Sequence, residues 1–270
     1  MKAMVLNAAA LLSLLPSSLA ALSRPDAGRD GVFWLLLGVA IVGPLAWVAQ
    51  QMVGGWDAGF SVAIWLTITA TMILFALVSA LTRHGWRLVA LVVPYMVVLG
   101  LIATAFHVID PDHVAMEPTD SPWVLVHIAV SVATYGLVTL AALAALSAAL
   151  QERALKRRQP TPLTRLLPSV ADAERLTVTL LGVAEAVLGL GLVSGIATLF
   201  AETGAFLVLD HKTVLTFLAF FVIGVLLYLH HRTGMRGRQA TRWVMIGYLL
   251  LTLGYPGVKF VTDTLMATTG

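Results

Sequence analysis

Residues 122–150 read PWVLVHIAVSVATYGLVTLAALAALSAAL, and residues 151–158 continue QERALKRR. The first part holds no Asp, Glu, Lys or Arg. It exceeds the roughly 20 apolar residues that a helix needs to cross a hydrocarbon core. The second part is a dense basic cluster. A long apolar run closed by such a cluster reads as a transmembrane helix whose C-terminal end is cytoplasmic.

The rest of the chain repeats this grammar. Of 270 residues, 59% are hydrophobic and only 11% charged, with a mean hydropathy of +0.91. Soluble domains carry about 25% charged residues, so a water-soluble enzyme and a disordered tail are both excluded. Eight apolar stretches are legible, at about 3–22, 32–52, 59–81, 87–106, 122–150, 174–200, 212–231 and 241–266. The connections are short. The fold class is therefore all-α: a polytopic membrane helix bundle of eight transmembrane helices. Ser18-Leu19-Ala20 resembles a signal-peptidase site, but the weakly charged segment before the first stretch favours a retained helix.

Charge sets the expected orientation. The odd-numbered connections carry Arg24 and Arg29, then Arg83 and Arg87. They continue with Arg153, Lys156, Arg157, Arg158, Arg165 and Arg175, and end with Arg232, Arg236, Arg238 and Arg242. These are 14 of the 17 basic residues; Lys2, Lys212 and Lys259 are the others. The positive-inside rule places the odd connections in the cytoplasm and both termini outside, in a bacterial-type cytoplasmic (inner) membrane. The net charge of +3 is thus a topology signal, and no nucleic-acid partner is expected. No cysteine is present, which removes disulfides and thiolate metal ligands.

The fourth connection is acidic, with Asp110, Asp112, Glu117 and Asp120 and no Lys or Arg. Asp110-Pro111-Asp112 and Glu117-Pro118 are breaker signals. They divide the chain into four helices over 1–106, an extracytoplasmic loop over 107–121 and a four-helix core over 122–270. Pro160, Pro162 and Pro168 mark the long fifth connection as irregular. Gly191 and Gly195 form a GxxxG pair suited to close helix approach or to a ligand passing near the backbone.

Ionisable residues at membrane depth are functional candidates, because their burial is costly unless something binds them. His127 fits best. Trp123 lies one turn above it, Ser131 and Thr134 continue its face downward, and Tyr135 lies beside them. An imidazole between an indole and hydroxyls suits a planar apolar ligand such as haem; from spacing alone a hydrogen-bonding residue between helices is the more ordinary reading. His211 opens the seventh stretch outside, and His230 and His231 close it in the cytoplasm. The 19 steps from His211 to His230 span about 28 Å at about 1.5 Å per residue, so one haem cannot reach both. Glu185 sits mid-way along the sixth stretch and is compatible with structural pairing or with proton movement.

The segments SPWVLVHIAVSVATYGLVTLAALAALSAALQERALKRR from Ser121, LLPSVADAERL from Leu166 and DHKTVLTFLAFFVIGVLLYLHHRTGMRGRQATRW from Asp210 resemble the cytochrome c assembly (CcsA/CcmC) superfamily. The similarity is to its small YpjD/HemX-like branch. It is strongest over 121–260 and thin over the first 80 residues. Members with established roles bind haem in the membrane and present it outside for attachment to cytochromes c. The resemblance implies that His127 is an external haem ligand, His211 the second, and His230 the histidine at the cytoplasmic end of the following helix. Non-covalent b-type haem is the implied cofactor. The implied partners are haem itself, cytochrome c maturation or haem-biosynthesis proteins, and the lipid bilayer.

The chain departs from the larger members. Residues 205–210, AFLVLD, have no tryptophan where a tryptophan-rich presentation segment is expected. Trp47 and Gln50 occupy the region of the first-half membrane histidine, and residues 255–270 contain no late external histidine. These departures imply an accessory haem-binding or haem-handling protein with no catalytic residues of its own. The other classes open to this sequence are a HemX-like regulatory or scaffolding protein that holds no haem, and a small proton-coupled transporter.

Overall fold

Apolar runs in lipid must satisfy every backbone amide internally, which makes them helices. In the computed structural model they are. It describes residues 2–23, 28–52, 56–57, 59–109, 115–116, 122–204, 208, 210–235 and 237–257. The helices are α1 (Lys2–Ser23), α2 (Gly31–Gln51), α3 (Phe60–Leu81), α4 (Val89–Ile109), α5 (Pro122–Arg157), α6 (Pro162–Leu166), α7 (Val170–Thr203), α8 (His211–Thr233) and α9 (Gly237–Thr252). Among the described residues, α1 to α5, α7 and α8 are long and apolar enough to cross a membrane. The protein is a multi-pass helical membrane protein. Of the expected eighth span, α9 supplies 16 residues and passes into a π turn at Leu253–Gly257, which contains Pro256. Residues 258–266 lie outside the described residues, as do His113 and most of the acidic loop.

The chain forms two units. The first comprises residues 1–118 and 150–173. Here α1 packs on α2 and α4, and α3 packs on the same two helices. Trp65, Ile68, Met72 and Phe75 bury one stripe of α3 completely, the i, i+3, i+7, i+10 spacing of a single helix face. Hydroxyls tie the helices together. Thr104 donates to Asn7 Oδ1 at 2.6 Å, Ser17 to the Leu36 carbonyl at 2.8 Å, and Ser61 to the Ala103 carbonyl at 2.8 Å. Gly43 of α2 leaves room for Ser13 of α1, whose Oγ would lie 2.0 Å from an added Cβ. Arg29 donates to the Ser79 carbonyl at 2.6 Å, satisfying a free carbonyl at the end of α3. Two short strands, β1 (Trp56–Asp57) and β2 (Ala115–Met116), pair antiparallel, Trp56 opposite Met116.

The long basic connection is more ordered than its prolines suggest. α5 continues past Leu150 to Arg157 and ends with Arg158 at φ 52°. Arg158 N–H donates to the Leu155 carbonyl and Gln159 N–H to the Ala154 carbonyl, the paired bonds of a Schellman end. Thr161 and Thr164 then form a capping box around Pro162 at the first position of α6, where proline's missing N–H does no harm. Gln151 Nε2 donates to the carbonyls of Thr164 (2.7 Å) and Pro168 (3.1 Å).

The second unit comprises residues 119–149 and 174–270. In it α8 packs against α9, and Val244, Gly247 and Leu251 form the buried stripe of α9. Asp210 caps α8 by accepting from Thr213 N–H at 2.7 Å. Gly234 ends the helix at φ 67°, a left-handed position where glycine carries no Cβ penalty.

Candidate functional site

Within the second unit, α5, α7, the start of α8 and the end of α9 enclose a cavity of about 340 Å³. That volume falls within the roughly 300–1,000 Å³ of small-molecule sites. Leu188, Leu192, Ile196 and Leu199 of α7 make its lining largely apolar, and His127, Ser131, Thr134 and Tyr135 of α5 add polar groups. The spacing of these four residues is that of one α5 face, so the cavity takes its polarity from the stripe singled out by sequence.

His127 is held by a short chain of bonds. Ser194 of α7 donates its hydroxyl hydrogen to the Gly191 carbonyl at 3.0 Å. At 3.2 Å Ser194 Oγ also pairs with His127 Nδ1. With Nδ1–H donating in this pair, Nε2 keeps the lone pair. The ring rests against Gly195, where an added Cβ would meet His127 Cε1 at 3.0 Å. The GxxxG pair therefore divides its work. Gly191 faces Val130, with 3.4 Å from an added Cβ to Cγ1, whereas Gly195 makes space for an imidazole.

Tyr135 is buried, and its hydroxyl lies 3.2 Å from both Tyr248 Oη and Thr252 Oγ1. Thr252 donates to the Tyr248 carbonyl at 2.8 Å. The network joins the middle of α5 to α9 and fixes one wall of the cavity.

The rim comes from α8. Asp210, Lys212 and Thr213 line it. The bond from the Thr213 amide, first among several contributions, holds the Asp210 carboxyl below its ordinary pKa, so the cap persists as a carboxylate. His211, between two lining residues, is itself exposed, and Trp123 is 51% exposed on the turn above His127. Among the described residues, neither belongs to the lining. His230 stands at the other end of α8, where its Nδ1 donates to the Met235 carbonyl at 2.9 Å. It borders a separate cavity of about 30 Å³ near Glu174, room for little more than water. The structure thus brings His127 and Tyr135 together and leaves His230 apart. In the first unit, Trp47 is buried between Trp65 and the edge of His107, with ring centres 5.6 and 5.7 Å away.

Ser194, Gly195 and Lys212 are the site residues that sequence reasoning did not single out as such. Only Gly195 had a signal, through GxxxG.

These features define a class: a multi-pass helical membrane protein with a histidine-bearing, largely apolar cavity. The match to the Cytochrome C assembly protein family covers residues 32–266, and the chain belongs to that family. A relative from Azospirillum brasilense, named "Uncharacterized 28.8 kDa protein in nifR3-like 5'region", is 51% identical over 97% of this chain and 98% of its own length. The "Inner membrane protein YpjD" of Escherichia coli K12 is 30% identical over 68% of this chain and 67% of its own. The "Protein HemX" of Brevibacillus brevis is 28% identical over 53% of this chain and 52% of its own. No solved structure matches.

Proposed function

We propose that this protein binds b-type haem without covalent attachment and acts as an accessory haem-handling protein in the bacterial cytoplasmic membrane, with no reaction of its own. One observation carries this reading: His127 is paired through Nδ1 with Ser194 Oγ and lines a cavity of about 340 Å³. Haem iron takes an imidazole whose other ring nitrogen is held by a hydrogen bond. The residues fit haem better than a bare ion. Among the described residues no cluster of three His, Asp or Glu could hold a metal, so iron would have to arrive with its own macrocycle. The apolar face of α7 suits a porphyrin, and the bound group would supply an iron centre with open axial positions.

In this reading His127, in the cavity, and His211, at the start of α8, would hold the haem iron. Tyr135 braces the wall and Trp123 shields the outer edge. His230 serves the cytoplasmic end of α8, and cytochrome c maturation or haem-biosynthesis proteins are the partners. The test is absorbance of the full-length protein in detergent, as purified and after haem addition. A Soret band with a six-coordinate bis-histidine pattern is expected. His211→Ala should convert it to a five-coordinate pattern, and His230→Ala should leave it unchanged. Absence of any Soret band in wild-type protein would overturn the reading. It would favour proton movement through Glu185, whose buried Oε2 has no hydrogen-bond partner among the described residues.

The orientation proposed with it places both termini outside, on the strength of the 14 basic residues in alternate connections. Reporter fusions after Met116 should read extracytoplasmic and after Arg158 cytoplasmic. The reverse at either point would refute it.

A further inference from the structure

Of the three basic residues assigned to the outer side, Lys2 belongs to the first unit and Lys259 lies outside the described residues. Among the described residues, Lys212 is the only Lys or Arg lining the large cavity. Its position is secured by the helix it helps to open. Its carbonyl accepts from Thr216 Oγ1 at 2.8 Å, and α8 is capped by Asp210 through Thr213. Among the described residues Lys212 forms no ion pair, and the neighbouring Asp210 carboxylate is turned to the Thr213 amide. An ammonium group with no salt-bridge partner among the described residues, although its charge and that of Asp210 act on each other, therefore stands at the rim of a cavity that is largely apolar beyond the polar face of α5. The N-terminal end of α8 adds partial positive charge beside it. A wholly apolar ligand would leave this charge unused.

We propose that Lys212 makes this cavity selective for a flat apolar ligand bearing a carboxylate, which it holds at the rim. The inference rests on the haem reading above and deepens it, since the propionates of haem are such carboxylates. Lys212 acts in affinity and selection, separately from the iron ligand.

The experiment uses the full-length protein in detergent with two probes, haem and its dimethyl ester, titrated by absorbance. The ester has the same iron and macrocycle without the charges. Wild type is expected to bind haem about tenfold more tightly than the ester, a modest charge-assisted gain because Lys212 stays exposed. Lys212→Gln should weaken haem by about the same factor, leave ester affinity unchanged and keep the band positions, while Lys212→Arg should retain the preference. Equal wild-type affinity for both probes would overturn the role of Lys212 and leave the haem reading intact. So would an equal weakening of both by Lys212→Gln. Binding of neither probe to wild type would overturn the haem reading and this inference with it.

Discussion

His127→Ala is expected to abolish haem retention: the haem-to-protein ratio after purification should fall at least about tenfold, with no Soret band recovered on adding haem. The expectation follows from how few ligands the cavity offers. His127 is its only histidine among the described residues, and no carboxylate–histidine cluster stands ready to replace it. Ser194→Ala should act through the imidazole. It removes the Nδ1 partner at 3.2 Å and frees the ring to change tautomer or rotate. Loss of such a supporting bond typically weakens metal binding about 10- to 100-fold. Ser194→Ala should therefore lower affinity by that amount while preserving a histidine-ligated spectrum on saturation. Expression level and membrane insertion are the controls. A wild-type spectrum in His127→Ala would remove His127 from the ligand set.

Most helices were legible because lipid forces apolar runs into helices. What hydropathy misjudged were ends. The sixth apolar stretch reads as 174–200, whereas α7 starts at Val170. Ser169 and Asp172 are the reason. Asp172 N–H donates to Ser169 Oγ at 3.2 Å, and Ser169 donates to the Asp172 carboxylate at 2.6 Å. The Ser-x-x-Asp spacing is a helix-start signal that hydropathy does not register. α5 likewise runs on into its basic cluster, because Glu152, Arg153 and Lys156 are good helix formers once outside lipid.

The site was legible on one helix and not on the other. His127, Ser131, Thr134 and Tyr135 follow from 3.6-residue periodicity alone. Ser194 and Lys212 do not, because which face of α7 meets α5, and where α8 begins relative to both, are set by packing between segments distant in sequence. GxxxG indicated that something approaches α7 closely. Nothing local says that an imidazole approaches Gly195 while a valine approaches Gly191.

Gly195→Leu is expected to eliminate binding in a protein that still folds. At Gly195 even a Cβ would stand 3.0 Å from His127 Cε1 and 3.4 Å from Nδ1. Alanine would require the ring to move by a few tenths of an ångström, lengthening its bond to Ser194, and should weaken haem several-fold. Leucine adds three more carbons beside a ring that already touches the helix, within a cavity bounded by Leu192 and Leu199. The imidazole must leave its place or the leucine must fill the ligand volume; either outcome removes the Soret band. Folding should survive, because leucine exceeds glycine in helix propensity by about 0.5–1 kcal/mol and the cavity gives the side chain somewhere to go. Gly189→Ala is the control on the same helix. Its Cβ would meet Phe220 Cε2 at 3.5 Å, an ordinary van der Waals contact, so haem affinity should not change. If Gly195→Leu bound haem as wild type does, the ring of His127 could not be the group that occupies the space beside Gly195 when haem is bound, and the axial ligand would have to be sought elsewhere.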